Sequence, residues 1–110
     1  MSERIAKINK HLQRVFGEIL HEQADRPADV MITISKVETR PNLKAAIVWL
    51  YINPLEKGEQ VLEQLQNQMY DLQGALNREL DMRPLPRLVL RLDHGAAYAE
   101  SIEKKLADLE

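Results

Sequence analysis

Val30-Met31-Ile32-Thr33-Ile34-Ser35-Lys36-Val37-Glu38-Thr39-Arg40-Pro41-Asn42-Leu43-Lys44-Ala45-Ala46-Ile47-Val48-Trp49-Leu50-Tyr51-Ile52 decides the fold of this chain. Residues 30–38 read as a strand: Val30, Ile32 and Ile34 alternate with Met31, Thr33 and Ser35, and β-branched residues dominate. Arg40-Pro41-Asn42 is a turn signal. Residues 43–52 read as a second strand, with Ala45, Ile47, Trp49 and Tyr51 on one face and Ala46, Val48, Leu50 and Ile52 on the other. A strand that is apolar on both faces belongs in the centre of a sheet, covered on at least one side. The short link makes the pair an antiparallel hairpin.

On the N-terminal side, residues 3–23 read as one helix, because Ile5, Ile8, Leu12, Val15, Phe16 and Ile19 recur at helical spacing on one face. Ser2 and Glu3 serve its start, and Asp25-Arg26-Pro27 closes it, since the residue before proline resists helical geometry. On the C-terminal side, Asn53-Pro54 ends the second strand, and residues 56–80 read as helix with Leu62, Leu65, Met69, Leu72 and Leu76 as its stripe. Gly74 falls inside that stripe. A helical glycine costs about 1 kcal/mol against alanine, so it marks either a packing site or a bend. Residues 81–86 break the chain, and Leu88, Leu90 and Leu92 alternate with Val89 and Arg91 in a third strand. Asp93-His94-Gly95 reads as a turn, and residues 96–109 as a last amphipathic helix anchored by Ile102, Leu106 and Leu109. The expected fold is α+β, one domain over residues 1–110, with a three-stranded sheet and helices packed on one face.

The bulk composition fits this size. The 110 residues are 45% hydrophobic and 29% charged, as in an ordinary soluble domain with one core. The chain has no cysteine, which removes disulfides, thiolate metal sites and cysteine nucleophiles together. It has neither a signal-peptide core nor a membrane-length apolar run, and the expected location is the cytoplasm. Net charge is −2, whereas domains that coat phosphate are usually basic. The distribution of charge must therefore carry any nucleic-acid reading.

The order helix, strand, strand, helix, helix, strand, helix is the one used by type II KH domains. At the residue level the chain resembles the bacterial ribosome-binding factor A family over nearly its whole length. The resemblance rests on Arg14-Val15-Phe16-Gly17-Glu18-Ile19-Leu20, on the paired strands Ile32–Glu38 and Leu43–Val48, and on Leu76-Asn77-Arg78-Glu79-Leu80 followed by Arg83, Pro86, Leu88 and Asp93. It implies a KH-like fold without the Gly-X-X-Gly loop, in which an Ala-X-Gly interruption makes a helix–kink–helix. The matching stretch here is Leu72-Gln73-Gly74, with leucine in place of alanine. The resemblance further implies a factor that binds the immature small ribosomal subunit and its rRNA late in maturation, alongside other assembly factors and often linked to growth in the cold; the chain is expected to be a monomer.

Three basic groups are the candidate RNA contacts. Arg4, Lys7, His11 and Arg14, with Lys10 beside them, lie roughly opposite the apolar face of the first helix, a footprint that suits phosphate. The alternative is an ordinary solvated face. Arg78, Arg83, Arg87 and Arg91 bracket the helix end and third strand. Their forked guanidinium groups suit phosphate, and the alternative is ion pairing with Glu79, Asp81 and Asp93. Lys36, Arg40 and Lys44 line the hairpin turn. Phe16 reads as core, Trp49 and Tyr51 as packed under a helix, and Tyr70 and Tyr98 as isolated and exposed.

Enzymatic readings are weak. His11, His21 and His94 are scattered, with no metal-ligand spacing, and there is neither a phosphate-binding glycine loop nor a nucleophile motif. No cofactor or metal is expected. The competing function is a small α+β protein-interaction module without RNA binding.

Overall fold

The computed structural model describes residues 3–83 and 85–95. Helix α1 spans Glu3–Gln23, and strands β1 and β2 span Met31–Thr39 and Ala45–Asn53. After a 3-10 turn over Leu55–Lys57 come α2 (Gly58–Asn67), α3 (Met69–Glu79) and β3 (Arg87–Leu92). The expected final helix, Ser2 and Tyr98 lie outside the described residues. His94 and Gly95, expected as a turn, have helical backbone.

The sheet order is β1-β2-β3. β1 and β2 are antiparallel, and β2 and β3 are parallel. A parallel pair needs a crossover, and α2–α3 supply it. β2 is central, as its two apolar faces require. Its even residues Ala46, Val48, Leu50 and Ile52 join Leu12, Val15, Phe16, Ile19 and Leu20 of α1 in the core. Val30, Ile34 and Val37 in and before β1, Val61 and Leu65 of α2, Leu72, Ala75 and Leu76 of α3, Leu80, and Leu88 and Leu90 of β3 complete it. The described helices all cover this one face.

The alternation in β1 is interrupted by a bulge. Ile34 pairs with Leu50, but Lys36 pairs with Trp49, so Ser35 is the extra residue. The Ser35 hydroxyl donates to the Trp49 carbonyl at 3.2 Å. The bulge shifts parity: Ile32 and Ile34 face the core before it, Val37 and Thr39 after it. Lys36 and Glu38 therefore point away from the helices.

Two expectations are corrected. The helix over residues 56–80 is interrupted at Gln68, not at Leu72-Gln73-Gly74, through which α3 runs unbroken. Gln68 leaves helical geometry at φ −97°, ψ 1°. Its side-chain oxygen accepts from the Asp25 amide at 2.7 Å, and its side-chain nitrogen donates to the Asp25 carbonyl at 2.7 Å. The break is thereby tied to the loop after α1. Gly74 instead lies within the continuous helix, where an added Cβ would lie 3.4 Å from Nη1 of Arg78, the movable end of that side chain. Second, Trp49 and Tyr51 do not pack under any of the described helices. They are odd residues of β2 and lie on the opposite sheet face, outside the core cluster.

Candidate nucleic-acid interface

Element directions gather the basic residues. The Asn9 side-chain oxygen accepts from the Thr39 amide at 2.8 Å, and the Gln13 side chain donates to the Ile34 carbonyl at 3.1 Å. α1 thus runs antiparallel to β1, with its first turns at the hairpin end. On the other edge, Gly58 lies against Leu92, Gln66 donates to the Leu90 carbonyl, and Gln73 accepts from the Leu88 amide at 2.9 Å. α2 and α3 therefore run antiparallel to β3 and finish at the same hairpin end.

Arg4, Lys7 and Lys10 on α1, Arg40 and Lys44 at the turn, Arg78 at the end of α3, Arg83 in the connection and Arg87 at the start of β3 consequently share one end of the molecule. The hairpin turn and β3 are directly joined, since the Arg87 amide donates to the Lys44 carbonyl at 3.0 Å. The opposite end holds Glu22, Asp25, Asp29, Glu56 and Glu59, and there Lys57 pairs with Asp29. That lysine holds the Asp29 carboxyl below its ordinary pKa, chiefly by its hydrogen bond. Glu3, Glu79 and Asp81 also lie at the hairpin end and Arg26 at the other, but they are outnumbered, so charge among the described residues is polarised along the strands.

The remaining candidates lie elsewhere. Arg14 is halfway along α1, bonded to His11 at 3.3 Å and paired with Glu18 at 3.5 Å. Lys36 and Arg91 sit in mid-sheet on the open face. Lys7 is 3.9 Å from Glu3. Both α1 pairs are exposed and one helical turn apart, so each contributes only a few tenths of a kcal/mol. The other ion pairs among the described residues are Lys36–Glu38 and Lys57–Asp29. Arg78, Arg83, Arg87 and Arg91 enter none of them, so the expected alternative of pairing with Glu79 and Asp81 is not realised.

Between α3 and the β3 edge runs a shallow open groove. Tyr70, Gln73, Gly74, Asn77 and Arg78 form one wall, Arg87 closes an end, and Leu88 to Leu90 form the floor. Tyr70 is 92% exposed. Gln73 keeps the groove from being a bare strand edge: besides accepting from Leu88 it donates to the Pro86 carbonyl at 3.2 Å, as one peptide group of a fourth strand would. Sequence reading named Gln73 only as part of a bend. A glutamine on a helix face gives no signal of which edge it will cover. Among the described residues no group of three histidine, cysteine or acidic side chains is placed to hold a metal ion, and no helix is long and apolar enough to cross a membrane.

Against known proteins, residues 4–106 match the family model described as ribosome-binding factor A. The chain belongs to the ribosome-binding factor A family. The family's member in Bdellovibrio bacteriovorus is 31% identical over 108 residues, which is 97% of this chain and 81% of the relative. The Akkermansia muciniphila member is 31% identical over 110 residues, covering 100% and 87%. Among solved structures, the crystal structure of the factor from Thermus thermophilus superposes with a TM-score of 0.69 at 25% identity, covering 80% of this chain and 94% of that one. A homology model of the Thermus factor, fitted into an electron-microscopy map of its 30S complex, gives a TM-score of 0.62 at 26% identity, covering 76% and 88%.

Proposed function

We propose that this chain is a non-catalytic assembly factor that binds the immature small ribosomal subunit through its rRNA and aids late maturation of that rRNA. The observation that carries the reading is family membership across residues 4–106. The Thermus relative fitted into a 30S complex supports the small subunit as partner. The cationic hairpin end supports rRNA as the component touched.

The physical reasoning is electrostatic. Arg40, Lys44, Arg78, Arg83 and Arg87 are exposed cations, free to displace counterions from phosphate, and that release supplies most of such affinity. The acidic opposite end is repelled by the same phosphates, so the charge distribution orients the approach. With no Gly-X-X-Gly loop, the groove between α3 and β3 reads shape and backbone rather than base sequence.

The test is co-sedimentation with precursor and mature small subunits across a salt series. Retention that falls steeply with salt is expected, with preference for the precursor. Replacing Arg40, Lys44 and Arg87 by glutamine should lower the log–log salt slope by about 2, at roughly 0.7–0.9 per phosphate contact. An unchanged slope would remove the hairpin end as the site. Association that survives nuclease and high salt would favour the protein-interaction reading instead.

A further inference from the structure

The face of the sheet left uncovered by the described helices holds a second arrangement. The register defines its rows. Glu38, Ile47 and Val89 form one row across the three strands, and Lys36, Trp49 and Arg91 form the next. Tyr51 opposite Thr33 follows on one side, and Ala45 beside Arg87 on the other. Ile47 is only 9% exposed yet stands outside the core cluster, so this face has an apolar floor of its own. Trp49 and Tyr51 are half-buried, and Arg87 and Arg91 are exposed.

Trp49 is held in a set orientation. Its indole N–H donates to Oε1 of Glu38 at 2.9 Å. Glu38 is in turn paired with Lys36 at 3.1 Å, and the Lys36 ammonium stands 5.4 Å from the centre of the indole ring, within cation–π range. The carboxylate in these rows is thus already neutralised, whereas Arg87 and Arg91 enter no ion pair among the described residues. The face is aromatic at its centre and cationic at its margin.

We propose that this open sheet face is a stacking platform for unpaired nucleotides of RNA. One base lies on the Trp49 indole and its neighbour on Tyr51, while Arg91 and Lys36 take the flanking phosphates. Base–aromatic stacking beside cations is how sequence-tolerant single-strand sites are built. Stacking on the exposed face of a sheet is an established way of displaying bases. Lys36, whose side chain is 57% exposed, leaves the ring for a phosphate as the base takes its place. A second copy of the chain fits less well, because an isologous contact would set the same patch against itself and oppose Arg87 and Arg91 to like charge. The inference rests on the reading that this chain binds rRNA, and it adds a site for single-stranded segments apart from the phosphate contacts of the hairpin end.

Trp49 is the one tryptophan of the chain, so its fluorescence reports this face directly. The full chain is titrated with short oligoadenylate and oligouridylate, with free AMP as the absorbance control, and the same oligonucleotides carrying a dye are followed by anisotropy. Saturable quenching of Trp49 that tracks the anisotropy is expected. Trp49→Leu should weaken oligonucleotide binding about tenfold, and Trp49→Phe should restore most of it. Arg91→Gln, an exposed change that leaves folding intact, should weaken it about fivefold. Binding seen by anisotropy without quenching, or unchanged in Trp49→Leu and Arg91→Gln, would overturn the platform. So would a Trp49 emission shift that depends on protein concentration alone, since that marks a dimer face. Small-subunit co-sedimentation of the same variants separates the two readings. Retention by wild type without quenching defeats the platform and leaves the assembly-factor reading standing. Quenching without retention does the reverse.

Discussion

Glu38 shows how one residue couples charge to the open sheet face. Its carboxylate is favoured first by the Lys36 hydrogen bond and further by the Trp49 indole, which hold its pKa below the ordinary value of 4.5. The sign follows: a carboxyl whose folded pKa is depressed adds stability above the unfolded pKa, and that increment is lost as pH falls through the folded value. The energy is small, because both partners are substantially exposed and screened. The fluorescence change is not small, since protonation removes the negative charge from the group that accepts the indole N–H. Trp49 emission should therefore titrate with a midpoint below 4.5, and Glu38→Gln should abolish the transition. Gly74 gives the second residue-scale prediction. It lies inside α3, and the nearest obstacle to a Cβ is the movable end of Arg78 at 3.4 Å. Gly74→Ala should stabilise by about 0.5–1 kcal/mol, read as a rise in the urea midpoint. Destabilisation would mean that the backbone there needs glycine's freedom, as a bend would.

At the scale of elements, the notable feature is how both sheet edges are closed by amide side chains. Asn9 and Gln13 serve β1, and Gln66 and Gln73 serve β3. Bare edges recruit other strands, and these amides satisfy backbone groups that a fourth strand would otherwise pair. Gln73→Ala should cost about 1–3 kcal/mol, because it strands the Leu88 amide and the Pro86 carbonyl, and it should raise self-association measured by light scattering. A change below about 0.5 kcal/mol would show that water replaces the glutamine without penalty. Gln68 acts between elements, joining the α2–α3 break to Asp25 and to the Gln64 carbonyl. Gln68→Ala should lower stability by about 1–2 kcal/mol, and a protected-amide experiment should place the loss at residues 24–26 and 64–72. No pattern in the sequence separates Gln68 from the other glutamines of that helix. Gly74, the residue with the lowest helix propensity there, drew the expected bend to itself. Tertiary hydrogen bonds at Gln68 outweighed that preference.

For the whole molecule, the consequence is polarity. Cations spread over α1, the hairpin turn, the end of α3 and the start of β3 become one end because each helix runs antiparallel to the strand beside it. Lys57 at the acidic end is the internal control. Lys57→Gln should leave small-subunit affinity unchanged, while Lys44→Gln should lower it about fivefold near 0.1 M salt. Equal effects would mean that net charge, not its placement, governs binding.

Local pattern was enough for the element types from α1 to β3, the central place of β2, the core face of α1 with Phe16 and Leu12, and the family. Those features depend on hydrophobic periodicity and turn residues, which act over a few neighbours along the chain. The Ser35 bulge, the break at Gln68, the side of the sheet on which Trp49 and Tyr51 fall, and the assembly of distant arginines at one end were not legible. Each depends on which groups meet across the fold. A β2 strand apolar on both faces is compatible with helices on either, and only the packing of α1, α2 and α3 onto Ala46, Val48, Leu50 and Ile52 leaves the tryptophan on the other side.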